Sequence, residues 1–441
     1  MSAREDDRGQ FADVISWPGA QPLSLGLLHE MIRRHAPVIR FHPDEPYFPA
    51  TVEWYLARGL LIDGATGAVL ARHPAAADLP RGPAGPDELQ RYWLTLDPAL
   101  AGPALEPELS PPGDPRRGNL AEARAYVRAL HDPALGHTDL QFWMFYPYDG
   151  PGLVRLRPRL LGALRADATF SLWPGGMHEA DWELAVIRID HATLQPIAAF
   201  LSQHQNGDQH VGAEAVAALE REENGQIRVH ASLFGHASYA HPQERKLAYF
   251  KLSLALAGLE AGLIDRVEPG LAWDLSRPAN HLLISTSWSD PLVSEPAWLE
   301  FAWRWGAYDP HGGRFRRRLV EAVSALLERR VAPLLLVLHI LTLGATALLL
   351  TLAPRLLGGP HGAKLLGHAA DNSGPFGPQC HEDKWSGAYG FTGPPPQAEW
   401  LGAGPPLGQR IAGALNTVSY PPVRLLSSLL RTLCGPLLPK D

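Results

Sequence analysis

The run from Gly175 to Asp190, GGMHEADWELAVIRID, constrains the fold more than any other stretch of the chain. A β-strand sends successive side chains to opposite faces, so in Asp181-Trp182-Glu183 the two carboxylates share one face and the indole takes the other. Leu184, Val186, Ile187 and Ile189 continue the strand and hold this two-carboxylate claw on a half-buried, rigid element. His178 precedes Asp181 by three residues and follows a Gly-Gly pair that bends easily, so its imidazole can fold back over the carboxylate face. Imidazole with carboxylates suits a divalent cation, and it suits general acid/base chemistry equally well. The plainer alternative is a structural cluster whose acids are solvated or paired with arginine.

A chain of 441 residues allows two or three domains, although single all-β domains often run longer than the usual length. With 46% hydrophobic and 19% charged residues the chain reads as globular. A formal charge of −7, with no basic stripe interleaved with aromatics, argues against nucleic acid as a partner. Two cysteines, Cys380 and Cys434, exclude a disulfide scaffold and a Cys-rich zinc site. The opening MSAREDDRGQ has no apolar core of a signal peptide, so the main domain is expected in the cytoplasm. Gly and Pro, 42 each, favour short strands and many turns.

Taken in order, residues 1–20 read as a mobile tail and Leu23–His35 as a short amphipathic helix. Val38–Phe41 reads as a strand, followed by a proline-punctuated loop around His42, Asp44 and Glu45, either ligands or a charged turn. Residues 65–117 read as loop-rich surface with one strand in RYWLTLDP, and residues 119–131 as a helix or a strand. The aromatic stretch HTDLQFWMFYPYDGPG reads as a buried strand ending in a turn at Asp149-Gly150. Further strands are expected at Ile197–His204, with Ser202 and His204 on one face, and at Gln226–Phe234. The latter runs into Gly235-His236-Ala237-Ser238-Tyr239, where small residues can bring an imidazole into a crowded site. His178, His204 and His236 all fall at strand ends.

Arg314–Arg330 carries six arginines against Glu321 and Glu328, and Val331–Pro354 then contains no charged residue. That run is long enough to cross a bilayer core as one helix, with its arginine-rich flank cytoplasmic; a buried or interfacial helix is the alternative. If residues beyond 370 rejoin the main domain, one crossing would strand them on the far side. Val423–Leu433 reads as a short amphipathic helix. No dinucleotide, P-loop, HExxH or GxSxG motif is present.

The segments APVIRFHPDEPYFPATVEWYL, RYWLTLDP, TDLQFWMFYPYDGPG, HEADWELAVIRID, FLSQHQNGD, FGHASYAHP, AWDL, FAWRWGAYDP and SGPFGP occur in this order. In that order they resemble the vacuolar protein sorting-associated protein 62 family, over about residues 36–312 and 372–386, with the block at 314–365 standing between as an insertion. The H-x-x-D-W-E pattern, preceded by an aromatic strand ending F-Y-P-x-D, also resembles the necrosis- and ethylene-inducing-like cytolysins. That resemblance implies a β-sandwich similar to actinoporins, a bound divalent cation and action on sphingolipid headgroups. Carried over, it makes Asp149, His178, Asp181 and Glu183 the metal shell and His204 a residue lining the site. Two positions depart from the cytolysin heptapeptide: Met177 replaces its first glycine and Ala180 its second histidine.

The expectation is therefore a mainly β chain, a β-sandwich with peripheral helices and long loops plus a C-terminal hydrophobic helix. Its layout is a tail at 1–20, a main domain at 21–313 completed by 371–400, a membrane-associating insertion at 314–370 and a tail at 401–441. A carboxylate-rich shell with one imidazole favours Ca2+, Mg2+ or Mn2+ over structural zinc. Three functions fit: cation-dependent binding of an anionic lipid or sugar headgroup at a membrane, metal-dependent ester or phosphoester hydrolysis with His204 or His236 as base and Ser238 as a possible nucleophile, or a trafficking scaffold.

Overall fold

The computed structural model describes residues 24–82, 88–104, 110–132, 134–160, 164–165, 167–171, 176–204, 206–253, 257–287, 293–308 and 373–389. Its architecture is mainly β, and among the described residues the strands form four sheets. The central six-stranded sheet runs, edge to edge, Asn206–Val211, Pro196–Gln203, His178–Asp190, His137–Asp149, Ala125–Asp132 and His281–Thr286. Its neighbours are antiparallel except for the last pair, which is parallel. The longest ladder joins His178–Asp190 to His137–Asp149 in one unbroken register, from His178 opposite Asp149 to Asp190 opposite His137.

Alternation along these two strands builds a core on each face. Leu140, Phe142, Met144, Ala185, Ile187 and Ile189 pack on one side with Ile39, Val229 and Trp273 of a small sheet and with the helix Leu25–His35. Trp143, Phe145, Trp182, Leu184 and Val186 pack on the other with Leu61, Leu94, Leu96, Trp298 and Trp305. Each such buried apolar side chain is worth roughly 1.5–3 kcal/mol. The expected sandwich is thus part of a larger arrangement, with a smaller sheet against each face of the central one. The fourth sheet, built on Gln243–Ser253, Ala257–Val267 and Leu153–Leu160, adds Leu153 and Ile264 to a third core with Tyr47, Tyr148, Leu233 and Phe234.

Several element assignments need correcting. The first helix starts at Leu25 behind an N-cap at Ser24, whose hydroxyl accepts from Leu27 N at 3.2 Å. In residues 65–117, expected as loop-rich surface with one strand in RYWLTLDP, that strand is Tyr92–Leu96 and a second, Val69–Arg72, was not expected; both pair with Gly59–Asp63. Residues 119–131, expected as a helix or a strand, carry a strand at Ala125–Asp132. The expectations for residues 1–20, for the Arg-rich block, for a hydrophobic helix at Val331–Pro354, for an amphipathic helix at Val423–Leu433 and for the tail from 401 fall on residues outside those described. Among the described residues no helix is long and apolar enough to cross a membrane.

After that stretch the chain returns to the place it left. Trp305 N donates to Pro375 O at 2.8 Å, and Gly374 N donates to Ala307 O at 3.0 Å. Arg304 bridges Phe376 in antiparallel fashion and lays its guanidinium over the Phe376 ring at 4.5 Å. Glycine is required here, because a Cβ on Gly374 would lie 2.4 Å from Gly306 Cα and 2.6 Å from Trp305 O. The following residues seal the indole-side core: Gln141 Nε2 donates to Lys384 O at 2.9 Å and Gln209 Nε2 to Tyr389 O at 2.6 Å. Gly374→Ala should therefore lower stability by about 2 kcal/mol or more, since the obstructing atoms are backbone. A urea midpoint unchanged from wild type would contradict this close approach.

Candidate functional site

One backbone irregularity creates the site. Ala180 has φ +57°, a left-handed conformation that disfavours a residue with a Cβ, and Pro147 lies across from it between the Glu179–Tyr148 and Asp181–Tyr146 pairs. Proline offers no N–H, so the ladder has no bond to lose there. The kink breaks strict alternation. Glu179 points to the indole side, where it accepts from Thr95 Oγ1 at 2.6 Å and Leu96 N at 3.0 Å. Asp181, two residues on, points to the opposite side and meets His236. His178, three residues before Asp181, consequently shares Asp181's face. The sequence assigned that turn to the Gly-Gly pair; the structure assigns it to Ala180.

Asp149, Asp181 and His236 come together, with one ligand atom from each lying within 4.8 Å of the others. His236 is fully buried and stacks on Tyr146 at 3.8 Å with planes 10° apart. Its Nε2 faces Tyr47 O at 3.1 Å. A carbonyl only accepts, so Nε2 carries a proton and donates, leaving Nδ1 toward Asp181 Oδ2 at 3.3 Å and Asp149 Oδ1 at 4.0 Å. His178 repeats the arrangement: Nδ1 donates to Ala180 O at 2.7 Å, and Nε2 faces Asp149 Oδ2 at 3.3 Å. Metal-binding histidines characteristically have their second nitrogen tied in this way.

The spacing is informative. A charge-assisted N–H···O bond closes to about 2.7–2.9 Å. Two ligand atoms of one cation, each about 2.1 Å from it at near-octahedral or tetrahedral angles, lie about 3.0–3.4 Å apart. The His236–Asp181 and His178–Asp149 separations of 3.3 Å fit that second range and also a long hydrogen bond, which is how His236 and Asp181 meet in this structure. Asp149 Oδ1 and Ser232 Oγ are buried with no hydrogen-bond partner. Both surround Gly235, where an added Cβ would lie 3.7 Å from Asp149 Oδ1, 3.8 Å from His204 Cε1 and 3.9 Å from Ser232 Oγ.

Electrostatics mark the cluster as under load. Burial, then the neighbouring Asp181, pushes the Asp149 carboxyl well above the ordinary carboxylate range. Burial opposes ionisation of Asp181 too, but its hydrogen bond and charge interaction with His236 outweigh it and hold Asp181 low. Burial pushes the His236 imidazole down, yet its contacts with Asp181 and Glu45 prevail and raise it to about 10. Glu45 is itself fixed from the loop before Tyr47, accepting from Tyr47 N at 2.8 Å and Phe234 N at 2.7 Å. Strain gathers here as well. Of six non-glycine residues with positive φ among the described residues, four are Ala180, His204, Phe234 and His236.

The remaining sequence candidates stand apart from this trio. Glu183 is buried on Asp181's face, accepts from Ser202 Oγ, and is raised to about 8 by burial and then by Asp181; it is not in the three-residue group. His204 is half exposed and its Nε2 contacts Asp265 Oδ2 at 2.9 Å, an oxygen that also accepts from Tyr239 Oη at 2.5 Å. Burial pushes His204 down, but Asp265 overrides it and leaves it raised. Ser238 is buried in the strand Ser238–Tyr239, its carbonyl accepting from Gln203 Nε2 at 3.1 Å. Sequence reasoning placed His236 among possible bases and overlooked Asp265, Tyr146 and Ser232. The Gly-His-Ala-Ser run was the one signal available for His236.

The family model for vacuolar protein sorting-associated protein 62 matches residues 22–335, well over half of the chain. A comparison with curated proteins gives no match. Among solved structures, the likeness includes necrosis and ethylene inducing protein 2 from the causal agent of cocoa's witches' broom disease. It has 14% identity and a TM-score of 0.24, over 52% of this chain and 72% of that one. NLPPya in complex with mannosamine has 14% identity and a TM-score of 0.24, over 60% and 82%. The non-toxic HaNLP3 protein has 10% identity and a TM-score of 0.24, over 62% and 80%. These neighbours are of the cytolysin group that the H-x-x-D-W-E pattern resembles; at such scores the likeness carries no functional conclusion.

The raised groups set a pH dependence. Between 4.5 and about 8 folded Glu183 keeps a proton that the unfolded chain has released, and between 6.5 and about 10 folded His236 does the same. In both windows the folded state binds more protons, so raising pH costs stability, by at most about 1.4 kcal/mol per unit for each group. In chelator-treated protein the stability of wild type relative to Glu183→Gln should therefore fall as pH rises from 5 to 8, a difference that cancels the opposite contribution of histidines held low by burial such as His35 and His381. A difference that rises over this range would contradict the assignment.

Proposed function

The chain belongs to the vacuolar protein sorting-associated protein 62 family, and from that premise and the geometry above we propose that it binds an anionic lipid or sugar headgroup through a divalent cation. The observation that carries this reading is the convergence of Asp149, Asp181 and His236 Nδ1 within 4.8 Å, with the second nitrogen of His236 committed to Tyr47 O. His178 supplies a further nitrogen through its contact with Asp149. Glu183 lies on the same face and, held protonated up to about pH 8, offers a neutral carboxyl beside Asp181.

The donor set refines the choice of ion. Two imidazoles with two carboxylates contain more nitrogen than a calcium site usually takes, so within Ca2+, Mg2+ and Mn2+ the preference moves toward Mn2+. Four protein ligands leave positions free for oxygens of a bound headgroup. Gly235 lies against the cluster, and His204, anchored by Asp265 and with its pKa raised by it, stands beside it as a polar contact for phosphate or carboxylate. The membrane setting comes from the Arg-rich and apolar sequence at 314–354.

A hydrolase reading has one specific observation in its favour. The half-exposed His204 is paired through Nε2 with Asp265, the arrangement that holds a general base in one tautomer. Turnover of a phosphoester that disappears in His204→Asn while cation binding persists would favour it over binding alone.

Asp181→Asn keeps size and shape and removes the ligand charge. Wild-type protein at a hundredfold excess of Mn2+ over its Kd should gain about 2.7 kcal/mol, and the variant should gain little of this. Thermal melts after chelation and retitration decide the matter; equal gains in both proteins would remove Asp181 from the ligand set.

A further inference from the structure

Residues one position apart on a strand normally share a face. Glu179 and Asp181 do not. The Glu179 carboxylate accepts from Thr95 Oγ1 at 2.6 Å and Leu96 N at 3.0 Å on the indole side, while Asp181 Oδ2 meets His236 Nδ1 at 3.3 Å on the other. Both anchors are satisfied together only if the residue between them leaves the extended conformation, and Ala180 does so at φ +57°. A left-handed residue with a Cβ persists where its surroundings over-determine it. Thr95 and Leu96 supply a rigid reference, because their strand Tyr92–Leu96 is paired to Gly59–Asp63 on one side and Arg304–Trp305 on the other. The backbone of Glu179 is gripped as well as its side chain. An added Cβ on Gly306 would lie 2.0 Å from Glu179 O, and one on Gly374 2.8 Å from it, so this carbonyl is seated against two separate segments of the chain. The Ala180 carbonyl in turn accepts from His178 Nδ1 at 2.7 Å, which aims Nε2 of the same ring at Asp149.

We propose that Glu179 is the positioning residue of the cation site: its bonds to Thr95 and Leu96 hold Ala180 left-handed and so keep His178 and Asp181 on the face of Asp149 and His236. Glu179 acts through the turn and not by contact with the ion. The proposal rests on the cation site of the proposed function for its binding readout, and on the backbone alone for its structural one. A tie that only joined two sheets would, when cut, cost stability and leave affinity as it was. A positioning tie, when cut, costs affinity, and a change that favours the turn restores it. Glycine supplies that change, because it adopts positive φ as readily as negative.

The test uses the chelated full chain as wild type, Glu179→Met, Glu179→Gln, and Glu179→Met combined with Ala180→Gly. Methionine keeps the unbranched length and removes the acceptor; glutamine keeps an oxygen that takes both bonds. Affinity for Mn2+, read from the electron paramagnetic resonance signal of the free ion, should fall roughly tenfold or more in Glu179→Met and stay within about twofold of wild type in Glu179→Gln. The double variant should recover most of the loss with the methionine still in place. Unchanged affinity in Glu179→Met, or a loss that Ala180→Gly does not recover, overturns the proposal. Should Glu179→Met not fold, Thr95→Val cuts one of the two bonds from the neighbouring strand, and an affinity unchanged there overturns it equally. A crystal structure of chelated Glu179→Met reads the turn without the ion: residue 180 should leave the left-handed region, and a φ still near +57° overturns the proposal. If wild type takes up no Mn2+, the cation reading fails and this structure alone decides the role of Glu179.

Discussion

The structure depends on the ladder between His137–Asp149 and His178–Asp190. Its register is constant along its length, so every side chain on one strand has a fixed partner on the other. Alternation on these two strands supplies a buried aliphatic layer for one face of the central sheet and a tryptophan-rich layer for the other. The same ladder ends in a kink at Ala180 opposite Pro147, and the kink turns a structural element into a site. Without it Asp181 and Glu179 would share a face, and His178 would lie opposite Asp181. The left-handed backbone costs on the order of 1–2 kcal/mol, which the two cores flanking it readily offset.

Around this kink, charge is arranged against its own stability. Asp149, Asp181 and Glu45 surround one fully buried imidazole, with Glu183 beyond Asp181 on the same strand, and the proton balance is shifted accordingly: Glu183 up to about 8 and His236 up to about 10. A purely structural cluster would be cheaper with one acid fewer or an arginine inserted. Arginine does serve that purpose elsewhere in the chain, where Arg188 forms a two-pronged pair with Asp139 and Arg40 with Glu222. At Asp149 no such partner is found among the described residues, and its Oδ1 is left without a hydrogen bond. That contrast favours a ligand over an internal counter-ion.

Much of this was legible in the sequence where the cause was local. The claw of Asp181 and Glu183 follows from period two, and the aromatic strand ending at Asp149 follows from its composition and its turn. His178 reached the expected face for another reason, because a left-handed alanine carries no sequence signature comparable to Gly-Gly. Non-local partners could not be read: Glu45 lies far from Phe234 and His236 in the chain, and Asp265 lies far from His204. The strands Leu153–Leu160, Gln243–Ser253 and Ala257–Val267 were also passed over, although the first alternates apolar residues with Arg155, Arg157 and Arg159. In the small sheet at 59–96 the strand Tyr92–Leu96 was legible in RYWLTLDP, but Gly59–Asp63 and Val69–Arg72 were not: the Pro, Gly and Ala around Val69–Arg72 read as loop, and Leu61 is buried in one core with the distant Trp298 and Trp305.

The central claim is that Asp149, Asp181 and His236 hold a cation between them. Its most direct test is a crystal of the chelated protein soaked in Mn2+ and measured at the manganese absorption edge. The account predicts one anomalous peak within bonding distance of Asp149 Oδ1, an Asp181 carboxylate oxygen and His236 Nδ1, with His178 Nε2 turned toward it. An anomalous map with no peak at these atoms, while their side chains stay in place, would contradict it.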